Sequence, residues 1–271
     1  MSDYNMKAAE NAGFRVFTGC KIDYANDDFA RGYLNWGLHP PKEIENETTF
    51  ALEKMSVPHG TSILDIGCGN GVSSIKMAEL GYNVTALDLS PIFIDAGKKM
   101  EQERRTAGEV AGAIDWVCCD YFDYQSDPYD AAILLDSGLD VANERFINKL
   151  HEHIKPGGHF FLRYKQGFSG TANWPWYRWG YNEELSTFNL ERHTVDRLKG
   201  VTVDEWVSID LAKKEIIIQD LSSSLVPISR FIEMMAASDF ALTGVWGDVK
   251  SSPVTENSRI YAHFVRLPEA L

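Results

Sequence analysis

The chain has 271 residues, of which 44% are hydrophobic and 24% are charged, and its formal net charge is -13. A chain of this length and composition can bury a sizeable core, so we expect one elaborated α/β domain with insertions. The excess of acidic residues would repel a phosphate backbone, since nucleic-acid binding needs clustered Lys and Arg. We therefore expect no nucleic-acid partner.

The first residues lack a basic region followed by an apolar run, and no stretch approaches the ~20 apolar residues that span a bilayer. No pair among the four cysteines has the spacing of zinc ligands, and no third histidine ligand accompanies His151 and His153. The sequence therefore predicts a cytoplasmic protein with reduced thiols, no metal and no membrane partner.

Short apolar runs alternate with amphipathic segments from Thr61 to Leu162, which is the pattern of βαβ units in a parallel sheet. Gly81 is placed to end the first helix of this region in a left-handed cap, and Ser90 and Pro91 are placed to begin the second. The predicted strands are 61–66, 83–87, 114–118, 131–135 and 159–163. A turn at 155–158 precedes the last of these strands.

Three further pieces surround this core. A helix near 44–55 follows Pro40-Pro41, and the region 166–225 breaks the alternation with a predicted hairpin of strands 206–210 and 215–219. A helix at 228–237 and strands at 241–246 and 259–265 complete the sheet. The predicted organisation is a helical cap at 1–57, a core at 58–165, a lid at 166–225 and a C-terminal helix and strands at 226–271.

These elements predict an α/β fold with a seven-stranded, mostly parallel sheet, helices on both faces and a lid inserted before the C-terminal strands. The strongest motif in it is Ile63-Leu64-Asp65-Ile66-Gly67-Cys68-Gly69-Asn70-Gly71, a strand that enters a glycine-rich turn and then a helix. Glycines allow the backbone to turn sharply and to approach a ligand closely, and the helix start favours an anionic group. The acid at Asp65 suits an ammonium group better than a pyrophosphate.

The segment Leu64-Asp65-Ile66-Gly67-Cys68-Gly69-Asn70-Gly71 resembles the first motif of class I S-adenosylmethionine-dependent methyltransferases. This resemblance implies a Rossmann-like fold with S-adenosylmethionine as the cofactor. Asp65, Gly67, Cys68 and Gly69 would then contact the cofactor.

The resemblance extends along the core in order and spacing. It implies that Asp88 holds the ribose hydroxyls with Leu89 beside it, and that Asp120 and Tyr121 contact the adenine amine and ring. Asp136 would face the methionine end of the cofactor. Lys155-Pro156-Gly157-Gly158 resembles the turn before the fifth strand of the family.

Two terminal segments resemble bacterial small-molecule methyltransferases, including N-methyltransferases that tailor antibiotics. The ending from Phe240 to Val249, with Ser252-Pro253 and Ser258-Arg259 after it, is similar to theirs. The segment Arg31-Gly32-Tyr33-Leu34-Asn35-Trp36-Gly37 is similar to the aromatic segment that closes over the cofactor in such enzymes. This implies cofactor contacts from Tyr33 and Trp36, although both rings could equally pack on the core.

The expected reaction is methylation of a nitrogen or oxygen on a small-molecule acceptor by in-line displacement, in which positioning contributes most. The residues that could act near the methyl group are Asp136, Ser137, Tyr33 and His39, although none is a decisive base. The lid aromatics Trp174, Trp176 and Tyr177, with Arg163 at the fifth strand, are expected to bind the acceptor. The same aromatics could instead form a subunit interface, which would make the protein a homo-oligomer.

Two rival functions remain open from the sequence. An NAD-dependent oxidoreductase shares the strand, glycine turn and helix, but its glycines typically follow the spacing Gly-x-Gly-x-x-Gly. A non-catalytic protein that binds S-adenosylmethionine would keep the motif without methyl transfer. Fold and cofactor do not fix the acceptor.

Overall fold

The computed structural model describes residues 6–36, 40–135, 139–164, 176–183, 186–196, 198–255 and 258–268. Its helices are α1 Met6–Asn11, α2 Asp27–Trp36, α3 Pro41–Met55, α4 Val72–Glu79, α5 Pro91–Thr106, α6 Glu144–His153 and α7 Ile228–Ala236. Its strands are β1 Arg15–Lys21, β2 Ser62–Ile66, β3 Asn83–Asp88, β4 Ile114–Cys118, β5 Tyr129–Leu134, β6 Ile154–Tyr164, β7 Trp176–Asn182, β8 Thr187–Asp196, β9 Val201–Asp210, β10 Glu215–Ser224, β11 Phe240–Trp246 and β12 Ile260–Arg266.

The described residues divide into two compact units. The first lies within Met1–Leu38 and Gly170–Leu225, and the second lies within His39–Ser169 and Val226–Leu271. Each unit contains one sheet, with five strands in the first and seven in the second.

The seven-stranded sheet of the second unit has the order β11-β12-β6-β5-β2-β3-β4. Strands β6, β5, β2, β3 and β4 are parallel, and β12 is antiparallel to both of its neighbours. The chain runs outward from β2 to β4 and then returns to β5 on the other side of β2. Ligands of open α/β sheets bind at the carboxyl ends of the strands at such a switch point.

Helices cover both faces of this sheet. On one face α6 and α7 pack Phe146, Leu150 and Phe231 against the even-numbered side chains of β2, β6 and β12. On the other face α3 and α4 pack Phe50 and Met77 against the odd-numbered side chains of β2, β5 and β6. The predicted seven-stranded, mostly parallel α/β sheet with helices on both faces is confirmed.

Local sequence signals explain where several of these helices begin and end. Ser90 is the N-cap of α5, and its hydroxyl accepts the backbone N–H of Phe93 at 3.4 Å, while Pro91 occupies the first helical turn. Gly81 was predicted to stop the helix that precedes it in a left-handed conformation. Its φ is 84°, and α4 ends at Glu79, two residues before it.

The first unit differs most from the prediction. Its sheet has the order β1-β10-β9-β8-β7, so that Arg15–Lys21 is a strand although the sequence predicted a helical cap there. Helix α3, which also falls in the predicted cap, belongs to the other unit. The predicted hairpin is confirmed, since Trp206 on β9 pairs with Gln219 on β10. Strands β7 and β8 extend that hairpin and were not predicted.

The structure also differs from the prediction at residues 155–158, where a turn before the strand was expected. These residues lie inside β6, which begins at Ile154 next to Tyr129 of β5, and the register between β5 and β6 shifts before Ala131. Gly157 has a φ of 79°, which glycine adopts without strain. The glycine pair therefore makes an irregularity within the strand and not a turn before it.

Candidate active site

The glycine-rich segment lies where β2 ends and α4 begins, at the switch point of the seven-stranded sheet. Gly67, Gly69 and Gly71 have φ values of 68°, 57° and 77°, in the left-handed region that favours glycine. The backbone N–H groups of Gly67 and Cys68 both donate to the carbonyl of Leu87 on β3, at 2.9 Å. These bonds hold the turn against the neighbouring strand.

Asp65 lies beneath this turn and is almost fully buried, with 2% of its surface exposed. Its Oδ2 accepts the hydroxyl of Ser73 at 2.5 Å and that of Ser74 at 2.6 Å, both from the first turn of α4. Burial raises the pKa of Asp65 to about 6, although the two serine hydroxyls act in the opposite direction. The carboxylate thus titrates closer to neutrality than an exposed aspartate does.

Asp88 ends β3 and faces the same turn. Its Oδ2 accepts the backbone N–H of Gly69 and its Oδ1 accepts that of Ser90, both at 2.8 Å. Burial raises the pKa of Asp88, and these backbone N–H groups partly counter that effect. A carboxylate has about four acceptor positions, and since the Leu89 backbone N–H also acts on this one, at least one position remains for a ligand hydroxyl.

An apolar surface continues from Asp88 toward the edge strand β4. Leu89 is 41% exposed, and Cys118 at the end of β4 is also exposed. The Cys118 sulfur lies 3.6 Å from the Leu89 carbonyl oxygen. Oδ1 of Asp120, just beyond β4, accepts the backbone N–H of Phe122 at 2.8 Å, which orients that carboxylate.

Tyr121 was predicted to contact an adenine ring, but only 4% of its surface is exposed. Its ring packs against Phe146 and His153, with centroid distances of 5.5 Å, inside the core on the α6 face. Its hydroxyl has no hydrogen-bond partner among the described residues. The ring therefore offers little surface to a ligand, and the exposed apolar surface at this position belongs to Leu89 and Cys118.

Trp116 on β4 packs on the back of the glycine turn, a contact that the sequence did not suggest. A Cβ atom on Gly71 would lie 2.1 Å from the Trp116 ring, and one on Gly97 of α5 would lie 2.5 Å from it. The indole N–H donates to Glu101 at 2.6 Å. Gly71 is thus needed for packing, whereas a Cβ atom on Gly69 would meet nothing within 4 Å.

Arg163, which was predicted to bind the substrate, lies in a buried ion cluster at the carboxyl end of β6. Its Nη1 lies 3.1 Å from both carboxylate oxygens of Glu47 on α3. Glu47 is 1% exposed and also accepts the Tyr261 hydroxyl at 2.7 Å and Nη1 of Arg259 at 3.2 Å. The guanidinium of Arg163 is thus held by a protein carboxylate.

Tyr33 belongs to the first unit. Its ring packs on Tyr24, Phe29 and Trp206, with centroid distances of 5.7, 6.0 and 5.6 Å. This contact holds α2 on the five-stranded sheet.

Several predicted site residues fall outside what the structure describes. Asp136, Ser137, His39 and Trp174 lie outside the described residues. Trp36 lies in α2, and Trp176 and Tyr177 lie in β7, but their side chains are outside the described part of the chain. The structure therefore brings together Asp65, Gly67, Cys68, Gly69 and Asp88, with Leu89 and Asp120 at the ends of the next strands.

Within the described ranges, no group of three or more His, Cys, Asp and Glu side chains could hold a metal ion. Among the helices in the same ranges, none combines the length and apolarity that crossing a membrane requires.

The geometry fits S-adenosylmethionine. The carboxylate of Asp88 lies at the end of β3, Leu89 offers an apolar surface beside it, and the carboxylate of Asp120 lies just beyond β4. The open space beside Gly69 and the buried Asp65 lie at the turn where a ligand's amino-acid end would enter. A family model described as a methyltransferase domain matches residues 63–158, which contain all of these residues.

Two relatives show how far the likeness extends in sequence. The chain is 30% identical over 139 residues to a ubiquinone biosynthesis O-methyltransferase of Xanthomonas axonopodis pv. citri (strain 306), which covers 45% of this chain and 52% of that protein. The chain thus spans about half the length of this relative. It is 28% identical over 218 residues to the cypemycin N-terminal methyltransferase of Streptomyces sp, covering 74% and 80% of the two chains.

Two solved structures share the fold over almost their whole length. The CcbJ methyltransferase from Streptomyces caelestis has a TM-score of 0.70 at 14% identity, over 90% of this chain and 98% of that one. The sugar N-methyltransferase KedS8 from Streptoalloteichus sp ATCC 53650 has a TM-score of 0.62 at 18% identity, over 93% and 97%. Residues 63–158 thus match a methyltransferase domain, and the chain shares the fold of these two methyltransferase structures.

Proposed function

We propose that this protein transfers a methyl group from S-adenosylmethionine to an amine nitrogen of a small-molecule acceptor, and that the acceptor carries an amino sugar. The observation that supports S-adenosylmethionine as the cofactor is the carboxylate of Asp88, which the N–H groups of Gly69 and Ser90 fix at the switch point. The assignment of an amine acceptor is supported by the similarity of the chain to KedS8, a sugar N-methyltransferase, and to the cypemycin N-terminal methyltransferase.

The residues of the second unit would divide the cofactor between them. Asp88 would accept the ribose hydroxyls, Leu89 would pack on the adenine, and Asp120 would accept its amine. The glycine turn would hold the methionine end, and the buried carboxylate of Asp65 beneath the turn would balance the charge of the ammonium group. When bound, S-adenosylmethionine supplies a methyl group already activated by its sulfonium sulfur.

The protein's remaining task is to bring the acceptor nitrogen onto the axis of the bond that breaks. Positioning of this kind contributes up to about 7–11 kcal/mol, so a neutral amine needs no strong base. Asp136, Tyr33 and His39 remain the proposed residues for orienting the amine or taking up its proton. Trp174, Trp176 and Tyr177 remain the proposed acceptor contacts in the lid.

A labelling experiment tests this function. The protein is incubated with S-adenosylmethionine that carries a trideuterated methyl group and with methyl glucosaminide, a nucleotide-linked amino sugar, a peptide with a free N-terminus, or catechol. Mass spectrometry then locates the label. We expect label on the nitrogen of an amino sugar, with none in an Asp88→Ala control.

Other outcomes separate the alternatives. Label on a catechol oxygen would show O-methylation and would overturn the amine assignment. Tight cofactor binding with no label on any acceptor, including those in a metabolite extract, would favour a non-catalytic binding protein.

A further inference from the structure

A second concave feature lies apart from the cofactor residues in the same unit. A pocket of about 250 Å³ opens between the first half of α3, the β11–β12 connection and the beginning of β12. Its lining includes Glu43, Asn46, Glu47, Asp248, Val249 and Arg259.

In the strand order, the pocket lies on the same side of β2 as β5, away from the residues proposed for the adenine and ribose. Arg259 and Tyr261 lie where β12 begins, and β12 pairs there with the carboxyl end of β6, as shown by the partners Tyr261 and Arg163. The adenine and ribose residues lie on β3 and β4, on the far side of β2. Strands β5 and β12 are two spacings apart, about 10 Å, so one molecule could reach from this pocket to the end of β5.

The charges of the pocket argue against a phosphate or another anion. The Arg259 guanidinium contacts Glu43, and its Nη1 lies 3.2 Å from Oε1 of Glu47. Glu47 is held in turn by Arg163 and the Tyr261 hydroxyl. The charge of Arg259 is thus already compensated by carboxylates, and Asp248 adds a further negative charge.

The lining instead suits a neutral or cationic ligand with many hydroxyl groups. Carboxylates accept hydrogen bonds, the guanidinium donates them, and the exposed Asn46 amide does both. Each sugar hydroxyl can likewise donate and accept. Val249 adds an apolar surface for the carbon face of a ring. The buried network around Glu47 fixes the floor of the pocket, which reduces the entropy lost on binding.

The volume restricts the size of the occupant. Sites for drug-sized ligands measure roughly 300–1,000 Å³, so a pocket of about 250 Å³ holds one part of a larger molecule, on the scale of a single sugar ring.

We propose that this pocket is the subsite that binds the sugar ring of the acceptor through its hydroxyl groups, so that it selects acceptors by their sugar. This inference rests on the proposed N-methylation of an amino sugar. Arg259 and Asn46 would be its contact residues, and Glu47 and Arg163 would be positioning residues.

The test measures sugar binding separately from catalysis. Saturation-transfer NMR with the full chain and S-adenosylhomocysteine present uses methyl glucosaminide and methyl glucoside as probes. Asn46→Trp places a large ring over the pocket from an exposed helix position, and Arg259→Gln removes the guanidinium. Glu53→Trp adds a tryptophan to an exposed position of the same helix outside the lining and serves as the matched control.

We expect both probes to give ring-proton signals with the wild-type chain and with Glu53→Trp. The dissociation constant should rise about tenfold or more in Asn46→Trp and Arg259→Gln, while their affinity for S-adenosylmethionine stays unchanged. Absence of signal from both probes with the wild-type chain would overturn the proposal. Equal binding to Asn46→Trp, or displacement of the probes by inorganic phosphate, would also overturn it.

The labelling experiment distinguishes the two ideas. If the sugars bind in the pocket and no amine is methylated, the proposed function fails and the subsite stands. If an amino sugar is methylated with the same KM by the wild-type chain and Asn46→Trp, the subsite fails and the function stands.

Discussion

The backbone N–H of Gly69 donates to the carboxylate of Asp88, with a distance of 2.8 Å between the nitrogen and Oδ2. This bond joins the end of β3 to the turn that follows β2, so the residue proposed for the ribose also fixes the loop proposed for the methionine end. We therefore expect changes at either residue to affect cofactor affinity.

Replacing Asp88 by alanine should weaken binding of S-adenosylmethionine. A charge-assisted hydrogen bond contributes about 1.5–3 kcal/mol, so the dissociation constant should rise roughly ten- to a hundredfold even if only one such bond is lost. Isothermal titration calorimetry measures this change, and circular dichroism checks that the variant is folded. A folded variant with the wild-type dissociation constant would remove Asp88 from the site.

Cofactor affinity should depend on pH through Asp65. Burial raises the pKa of this carboxyl to about 6 in the free protein. Above that pH it is charged and can balance an ammonium group, whereas protonation removes the attraction, so the dissociation constant should rise as pH falls from about 8 to about 5.

The matched variant is Asp65→Asn, which should bind more weakly at pH 8 and show a flatter pH profile. Asp88→Asn, by contrast, should keep the contribution of Asp65. If Asp65→Asn retains the wild-type profile, Asp65 does not face the ammonium group.

The fold could be predicted from the sequence where a segment carries its own signal. The buried run Ala131–Leu135 and the cap at Ser90 were predicted because apolar length and capping chemistry are local properties. Strand β8 was missed because both of its faces carry polar groups that bind partners on other residues. His193, for example, contacts Asp204 on β9 and lies 2.8 Å from Glu191.

The same distinction between local signals and distant contacts applies to the residues of the candidate site. The turn and Asp88 follow from strand order, because consecutive parallel strands end at one edge of the sheet. The burial of Tyr121 depends on α6 packing behind it, and the role of Gly71 depends on Trp116 from a distant strand. Neither contact leaves a pattern within its own segment of sequence.

Cys118 provides a chemical probe of the surface proposed to bind the adenine. It is exposed at the end of β4 beside Leu89, whereas Cys68 is buried and Cys20 and Cys119 are half-buried. Partial desolvation, together with the negative charge of Asp88, raises the pKa of Cys118, so its alkylation is best followed at mildly alkaline pH.

Saturating S-adenosylmethionine should slow alkylation of Cys118 by iodoacetamide, as followed by peptide mass spectrometry. The Cys118→Ser variant identifies the labelled peptide. Unchanged labelling in the presence of the cofactor would place the adenine elsewhere.

A histidine pair at β6 and β12 should make the protein sensitive to acid. His159 Nδ1 lies 2.9 Å from His263 Nε2, and His263 Nδ1 lies 2.6 Å from the Thr243 hydroxyl. Burial lowers the pKa of His263 to about 4, with a further decrease from His159. The unfolded chain, with an ordinary histidine pKa near 6.5, then binds protons first as pH falls.

This pair therefore stabilises the fold fully above about pH 6.5, and that contribution is lost as pH falls toward about 4. Differential scanning calorimetry should show a Tm that decreases over this range. The slope should be smaller in His263→Asn, which has no titrating ring. Equal slopes in the two proteins would assign the acid sensitivity to other groups.

Calorimetric titration with S-adenosylmethionine and, separately, NADH tests the central claim most directly, when wild-type protein is compared with Gly69→Val. We expect one-site binding of S-adenosylmethionine and no binding of NADH. Gly69 has a φ of 57° and faces open space, so valine there would occupy ligand space and strain the turn in a largely folded protein. Binding of S-adenosylmethionine should therefore be lost in Gly69→Val. Tighter binding of NADH, or wild-type affinity for S-adenosylmethionine in folded Gly69→Val, would contradict the placement of the cofactor.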